Sequence, residues 1–218
     1  GITEAAGSNI QWLIEQFFRQ EQKELGEGIY AYMDKVIETI PPGSDHLLCT
    51  PWMLGERCPV SSTTTRATLF NIGPEHTREH LMRAVYEGIG YNLRWILENF
   101  ERDYGFHCRQ FRIIGGGALD DAWMQIIADI TGAEFAIVDN PRNAGALGAA
   151  IIALIGLGEL ESFESAKQFV KESKTYRPNQ ANAYIYDEMF ATYKRLFKSL
   201  KKTYYRANAM RFGGGEDD

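Results

Sequence analysis

Apolar residues recur at helical spacing along much of this chain, which predicts a fold rich in helices. We place the start of the first helix at Ser8, because Gln11 stands three residues later in the spacing of a capping box. Further helices are predicted over residues 28–40, 77–100, 144–157, 162–171 and 183–200.

Residues 111–158 combine strands, helices and glycines in an order that predicts a ligand pocket. Residues 111–114 are apolar and β-prone, so they are predicted to form a buried strand. Gly115, Gly116 and Gly117 then remove every Cβ where the chain turns, and a flat ligand could lie against this bare backbone.

The glycine turn is followed by a helix in which Asp120 or Asp121 is expected to be the N-cap and Gly132 the end. A second strand, residues 134–138, leads into the small-residue helix 144–157. We therefore predict an α/β fold with about three short strands. That is few for a nucleotide-binding domain, and Gly1 is not an initiator methionine, so we expect a fragment or processed chain that lacks its first strands.

Composition narrows the class of protein. The 218 residues carry a net charge of -6, which argues against a general nucleic-acid or membrane-surface partner. Three cysteines without C-x-x-C pairing predict a reducing, cytoplasmic setting. The longest apolar run, residues 144–158, is shorter than the roughly 20 residues of a membrane span, and we find no signal peptide.

Two segments compete with the glycine turn as functional sites. His76, Glu79 and His80 have the H-x-x-E-H spacing of inverted zinc peptidases, in which the glutamate activates water. The alternative is that His76 precedes the helix and Thr77 is its N-cap, so that the two rings do not share a helical face. The second segment is the long polar loop over residues 51–65.

The glycine turn alone is weak evidence for a nucleotide. It has neither the lysine of a P-loop nor the G-x-G-x-x-G spacing of a dinucleotide fingerprint. Asp121 could simply cap its helix, Gln11 could close a capping box with Ser8, and Trp123 could be a core residue.

The combination of motifs resembles the carboxy-terminal domain of the FGGY carbohydrate kinases, over nearly the whole chain. The matching motifs are the Gly115-Gly116-Gly117-Ala118 turn with the helix after it, the Gly55-Glu56-Arg57 loop, and residues 67–87. The resemblance implies an actin-like, ribonuclease H-like ATPase fold, helix-rich and lacking its first strands. It covers residues 1–205, and residues 206–218 are predicted to be a disordered tail.

The resemblance also implies ATP and Mg²⁺ as cofactors. It assigns nucleotide contacts to six residues: Gly7, Gln11, Gly116, Gly117, Ala118 and Asp121. No catalytic residue and no metal ligand is expected within the chain. Asn71 stands where the family has glycine, Ala67 replaces a second glycine, and residues 61–65 lack the usual acidic residue. These departures affect the identity of the acceptor sugar more than the assignment of the nucleotide site.

The family's catalytic aspartate and its two phosphate-binding turns lie upstream of the segment that matches Gly7, and the chain has no D-x-G-T motif. We therefore expect the nucleotide-binding lobe of a sugar kinase, inactive alone, with the sugar bound mainly by a missing amino-terminal lobe. The implied sugar is a ketopentose such as xylulose, and a homodimer is compatible with the resemblance. The alternative is a non-catalytic actin-like nucleotide-binding module.

Overall fold

Seven helices form most of the computed structural model, which describes residues 5–212. Three short helices come first, a long helix follows them, and a longer one ends the described chain. The bounds are α1 Gly7–Phe17, α2 Arg19–Leu25, α3 Ile29–Glu38, α4 Arg78–Tyr104, α5 Asp121–Thr131, α6 Ala144–Gly156 and α7 Ala183–Phe212.

The strands form two small sheets. In the first, β1 (Leu48–Thr50) pairs antiparallel with β2 (Thr68–Phe70). In the second, β4 (Glu134–Val138) lies between β3 (Gln110–Ile113) and β5 (Glu172–Tyr176). β3 runs parallel to β4 and β5 antiparallel to it, so the structure has the α/β class expected from the sequence.

Helix α4 is the centre of the core, with every residue from Leu81 to Asn92 buried. The two glycines inside it make this possible, because a Cβ at Gly88 would lie 2.3 Å from the carbonyl oxygen of Cys49 in β1. At Gly90 a Cβ would lie 2.7 Å from Cδ1 of Ile130 in α5. Helix α4 therefore packs closely against both elements and joins β1 to α5.

The buried carboxylate Glu87 of α4 is satisfied by hydrogen bonds within the protein. Glu87 accepts hydrogen bonds from Arg83 Nε at 2.8 Å, the Gly43 amide at 2.9 Å, Ser44 Oγ at 2.8 Å and the Tyr186 hydroxyl at 3.2 Å. Burial raises the pKa of Glu87, and the adjacent Arg83 guanidinium opposes that change. This network fastens α4 to α7 and to the left-handed turn before β1.

Helix α7 extends further than the sequence indicated, so the prediction of a disordered tail from residue 206 is wrong for residues 206–212. Contacts with the residue 51–67 loop explain the longer helix: Asn208 Nδ2 donates to the Thr64 carbonyl at 2.9 Å, and Arg66 lies over the Phe212 ring. The remainder of that predicted tail, residues 213–218, falls outside the described residues.

Three local predictions are also wrong. Helix α1 begins at Gly7 without a side-chain cap, so Ser8 and Gln11 form no capping box. Residues 162–171 contain only a 3-10 turn, Ser165–Phe169, and β5 follows it. β3 is partly exposed instead of buried, because it is an edge strand with one partner.

Helix α6 is apolar but poorly covered. Within it Ile151 is buried, whereas Ile152 is 62% exposed. Its glycines meet no neighbouring atom, so the expected close approach of another backbone is not present within residues 5–212. In the same described region, no helix combines the length and apolar character that a membrane crossing requires.

We expect Arg83→Met to destabilise the fold strongly, because it leaves the buried Glu87 carboxyl without its cation. Breaking a buried pair costs about 3–5 kcal/mol, and the free energy of unfolding from urea titration measures the loss. The control is Arg112→Met, which removes the exposed pair with Glu172 at 2.7 Å and should cost less than about 1 kcal/mol. Equal losses would show that the Glu87 network does not hold α4 in place.

Candidate functional site

Two turns meet at one edge of the second sheet. β3 and β4 are parallel, so the glycine turn after β3 and the turn after β4 emerge on the same side. The Gly115 amide donates a hydrogen bond to the Pro141 carbonyl at 2.8 Å, which ties the two turns together. The carboxyl edge of parallel strands is where open α/β sheets bind ligands.

A cavity of about 370 Å³ opens beside these turns. Helices α1, α3, α4 and α5 form its walls together with the glycine turn and Arg142. Its lining consists of Gly7, Ile10, Tyr30, Ala31, Asp34, Tyr86, Gly116, Gly117, Leu119, Asp120, Trp123 and Arg142. This volume falls within the range of small-molecule sites.

The glycines of the turn have different physical roles. Gly115 has φ +99°, a conformation that side chains rarely adopt. A Cβ at Gly117 would lie 2.6 Å from the Trp123 ring, so this glycine is needed for packing. Gly116 has no atom within 4 Å of its Cβ position, so packing does not require it. Its bare backbone is open to a ligand.

Unpartnered buried polar atoms are concentrated in this cavity. Within residues 5–212, six buried side-chain nitrogen or oxygen atoms lack a hydrogen-bond partner, and three of them, Asp34 Oδ1, the Tyr86 hydroxyl and Trp123 Nε1, belong to residues that line the cavity. Tyr86 is 0% and Trp123 8% exposed. Leaving such an atom unpaired costs about 1–3 kcal/mol, so half of these costs fall on the wall of the cavity.

The electrostatics of the cavity are dominated by acidic groups. Burial, and then the adjacent carboxyl of Asp120, raise the pKa of Asp34 to about 8. Burial and the Asp120 charge also raise the pKa of the Tyr86 hydroxyl. Arg142 lines the cavity as a cation and is exposed. Burial therefore favours the neutral, hydrogen-bonding forms of Asp34 and Tyr86.

Three of the six predicted contact residues, Gly7, Gly116 and Gly117, line the cavity. Gln11 does not line it but accepts a hydrogen bond from the Tyr30 hydroxyl at 2.8 Å, and Tyr30 is a lining residue. Gln11 thus positions one wall of the cavity from outside.

The other two predicted residues also lie outside the lining. Ala118 is buried in the core. Asp121 receives hydrogen bonds from Lys174 Nζ at 2.6 Å and from the Tyr176 hydroxyl, and these donors lower its pKa. Asp120, and not Asp121, is the N-cap of α5, because its carboxyl accepts from the Trp123 amide at 2.8 Å.

Sequence reasoning missed five polar lining residues: Tyr30, Asp34, Tyr86, Asp120 and Arg142. A signal for Asp34 would have needed its neighbour Asp120, because a single carboxylate on an amphipathic helix is an ordinary solvated residue. Tyr86 and Arg142 offered none, since a tyrosine within an apolar helix and an arginine in a turn are ordinary residues. Trp123 proves to be both a core residue and a lining residue.

Hydrogen bonds within the protein engage both histidines of the candidate zinc site. His76 lies before α4 and Thr77 is the N-cap, as expected, and the two histidine rings contact each other edge-on with their centroids 5.4 Å apart. His76 Nδ1 accepts from the Gly73 amide at 2.8 Å, and His80 Nδ1 accepts from the Thr77 amide at 3.1 Å. Among residues 5–212, no three His, Cys, Asp or Glu side chains are grouped to hold a metal ion. The zinc peptidase alternative gains no support.

The polar loop over residues 51–65 is a structural element. Ser62, Thr64 and Thr65 are buried, and Glu56 accepts a hydrogen bond from Asn92 Nδ2 of α4 at 2.8 Å. Asn71, which replaces an expected glycine, has φ +68°. Asparagine tolerates this left-handed conformation better than most residues, so the glycine geometry is retained.

Comparison with known proteins identifies this architecture. Residues 1–157 match the C-terminal domain of the FGGY family of carbohydrate kinases. A xylulose kinase of Bacillus subtilis is 34% identical over 203 residues, which cover 92% of this chain and 39% of that protein. A gluconokinase of Bacillus licheniformis is 28% identical and is covered over 40% of its length.

Solved structures show the same fold. The crystal structure of xylulose kinase from Rhodospirillum rubrum matches with a TM-score of 0.79 and 29% identity, over 94% of this chain and 40% of that one. Ligand-bound xylulose kinase from Lactobacillus acidophilus matches with a TM-score of 0.83 at 24% identity, which concerns the fold alone. The chain spans about two fifths of the length of these relatives.

Alanine substitutions should separate the two glycine roles. Gly117→Ala forces the Trp123 ring to move, so we expect a loss of about 1–3 kcal/mol in the free energy of unfolding. Gly116→Ala has open space and should change that free energy by less than about 1 kcal/mol. Thermal and urea unfolding of both variants test this. A larger loss at Gly116 than at Gly117 would contradict the packing we describe.

Proposed function

The chain belongs to the FGGY family of carbohydrate kinases, and from this premise we propose that it is the nucleotide-binding lobe of an ATP-dependent sugar kinase. The whole protein would transfer the γ-phosphate of ATP to a sugar hydroxyl. The observation that carries this proposal is the cavity at the glycine turn, which has the volume of a small-molecule site and in which the backbone of Gly116 is open to a ligand.

The cavity suits the adenosine part of a nucleotide. Gly7 and Gly116 have no atom within 4 Å of their Cβ positions, so they expose backbone that a flat base and its ribose can approach. Asp34, Tyr86 and Trp123 line the cavity and are the side chains that would hydrogen-bond to a polar ring. Arg142, on the turn after β4, is a cation suited to the phosphates. In this proposal Gln11 acts through Tyr30, while Ala118 and Asp121 support the walls.

The reaction also needs groups that we assign to the rest of the whole protein. Phosphoryl transfer requires Mg²⁺ for the phosphate charge and a base for the attacking hydroxyl. In our proposal Mg²⁺ arrives with the nucleotide, and the base and the sugar contacts come from an amino-terminal lobe. A xylulose-like ketopentose is the proposed acceptor, since the relatives include xylulose kinases. Gluconokinases are also among them, so the acceptor is a matter for experiment.

Two exposed surfaces support the proposal that further strands complete this lobe. β3 has an unpaired edge within the described sheet, and an exposed edge strand invites a partner. Ile152 on helix α6 and Leu157 directly after it are 62% and 77% exposed. A sheet extended beyond β3 and packed on α6 would cover both surfaces.

Nucleotide binding is the first test. Titration calorimetry with ATP and Mg²⁺ should give saturable binding to the wild-type chain. Gly116→Leu should weaken it by at least about tenfold, roughly 1.4 kcal/mol, because the side chain fills the space proposed for adenosine. The matched control is Gly156→Leu, at an exposed glycine of α6 with open space around it, which should bind like wild type.

Two results would overturn the site. One is the absence of ATP binding by both this chain and the whole protein. The other is equal affinity of the Gly116→Leu and Gly156→Leu variants while both give cooperative unfolding transitions.

Turnover is the second test. In a coupled ADP-release assay with xylulose, ATP and Mg²⁺, this chain alone should show no activity above background, because the catalytic base is proposed to lie elsewhere. The whole protein should be active, and gluconate should be the weaker acceptor. Phosphorylation of xylulose by the isolated chain would disprove the proposal that the catalytic base lies in an amino-terminal lobe.

A further inference from the structure

Tyr30 is the accessible aromatic side chain of the cavity. It lies in the first turn of α3 and is 46% exposed, whereas the other two aromatic lining residues, Tyr86 and Trp123, are buried. Leu119, at the end of the glycine turn, is the other large apolar side chain of this lining that is exposed. A ligand that enters the cavity can therefore contact the Tyr30 ring without any rearrangement of the core.

The hydroxyl of Tyr30 is directed toward α1 and out of the cavity. It donates a hydrogen bond to Gln11 Oε1 at 2.8 Å, and Gln11 does not line the cavity. Gln11 Nε2 in turn donates to Glu15 Oε1 at 2.7 Å. Both polar ends of the Gln11 amide are thus engaged, and the ring is the part of Tyr30 that remains to line the cavity.

This relay of hydrogen bonds holds an exposed ring in one position. A tyrosine has only two side-chain torsions, so a hydrogen bond at its far end restricts the ring strongly. A side chain that is ordered before binding does not have to be ordered when the ligand arrives. The contacts from Glu15 through Gln11 to Tyr30 therefore prepare an aromatic surface, which is suited to a flat, aromatic ligand.

The glycine turn provides a second surface, on a different wall of the cavity from Tyr30. Gly116 has open space at its Cβ position, and Leu119 ends the same 3-10 turn. A nucleobase is flat and presents two broad faces. It is therefore the part of a nucleotide that an aromatic ring on α3 and a bare backbone at the turn would both accept.

We propose that Tyr30 holds the base of the nucleotide by stacking against its ring, and that Gln11 raises affinity by fixing Tyr30 and makes no contact with the nucleotide. This inference rests on the proposed nucleotide binding. Stacking needs no particular pattern of donors and acceptors, because every base has a π-face. Gln11 is thus a positioning residue that acts through the tyrosine ring.

Titration calorimetry of this chain with ADP tests the role of the ring. Tyr30→Ala removes the stacking surface and should weaken ADP binding by about tenfold. Tyr30→Phe keeps the ring and loses only the hydroxyl, so binding should weaken by no more than about threefold. The matched control is Tyr184→Ala, which removes a tyrosine of α7 that is 80% exposed and lies outside this cavity, and it should bind like wild type.

A double-mutant cycle tests the role of Gln11. Gln11→Ala alone should weaken ADP binding by about threefold, because the Tyr30 ring must then be ordered on binding. In the Tyr30→Phe background the same substitution should have no further effect, since phenylalanine donates no hydrogen bond to Gln11. A direct contact between Gln11 and the nucleotide would instead give the same loss in both backgrounds.

Three results would overturn the inference while the wild-type chain still binds ADP. They are wild-type affinity of Tyr30→Ala, a loss in Tyr30→Phe as large as in Tyr30→Ala, and an undiminished effect of Gln11→Ala in the Tyr30→Phe background. The cycle decides the matter even if Tyr30→Ala fails to give a cooperative unfolding transition, because it leaves the ring in place. Absence of ADP binding by the wild-type chain would instead refute the proposed function.

Discussion

The burial of α4 on all sides is the constraint on which the rest of this structure depends. A helix surrounded by protein must place small residues where backbones meet and must satisfy every polar group internally. Gly88 and Gly90 meet the first requirement, against β1 and α5. Glu87 meets the second through four hydrogen bonds, and Asn92 through bonds with Glu56, Trp52 and Tyr193.

The same helix fixes the geometry of the cavity. Tyr86 is on α4, directly before Glu87, and its ring packs edge-on against Trp123 at 5.4 Å. Trp123 in turn occupies the space that a side chain at Gly117 would need. The position of the glycine turn therefore depends on a chain of rigid contacts from the core outward. Rigid elements hold a binding site more accurately than loops do.

Much of this could be predicted from the sequence, because periodicity and glycine position depend on local chemistry. The long helix, the strand over residues 134–138, the end of α5 at Gly132 and the glycine turn are all confirmed. The cap at Ser8, the helix over residues 162–171 and the disordered tail from residue 206 are wrong. Each of these three depended on tertiary contacts or chain boundaries, which local patterns specify poorly.

The cavity was predictable only where backbone geometry defines it. Gly7, Gly116 and Gly117 were found because glycine stands out in a sequence, and the family resemblance named them. Asp34 was missed because its importance depends on a neighbour, Asp120, which is 86 positions away in the chain. A single carboxylate on an amphipathic helix looks like a solvated residue until the fold places another beside it.

The open backbone at Gly116 and the unpartnered polar atoms of the cavity residues both lower the stability of the unliganded fold and both leave groups that a ligand could contact. Filling Gly116 or pairing Asp34, Tyr86 and Trp123 within the protein would favour the unliganded fold and remove the groups a ligand could contact. The surrounding structure tolerates them because α4 is well satisfied elsewhere, through Arg83 and Glu87. On α4, Glu87 and Asn92 are paired within the protein, whereas the hydroxyls of Tyr86 and Tyr91 are not. The open backbone of Gly116, in a cavity whose size suits a small molecule, supports the proposal that a nucleotide binds here.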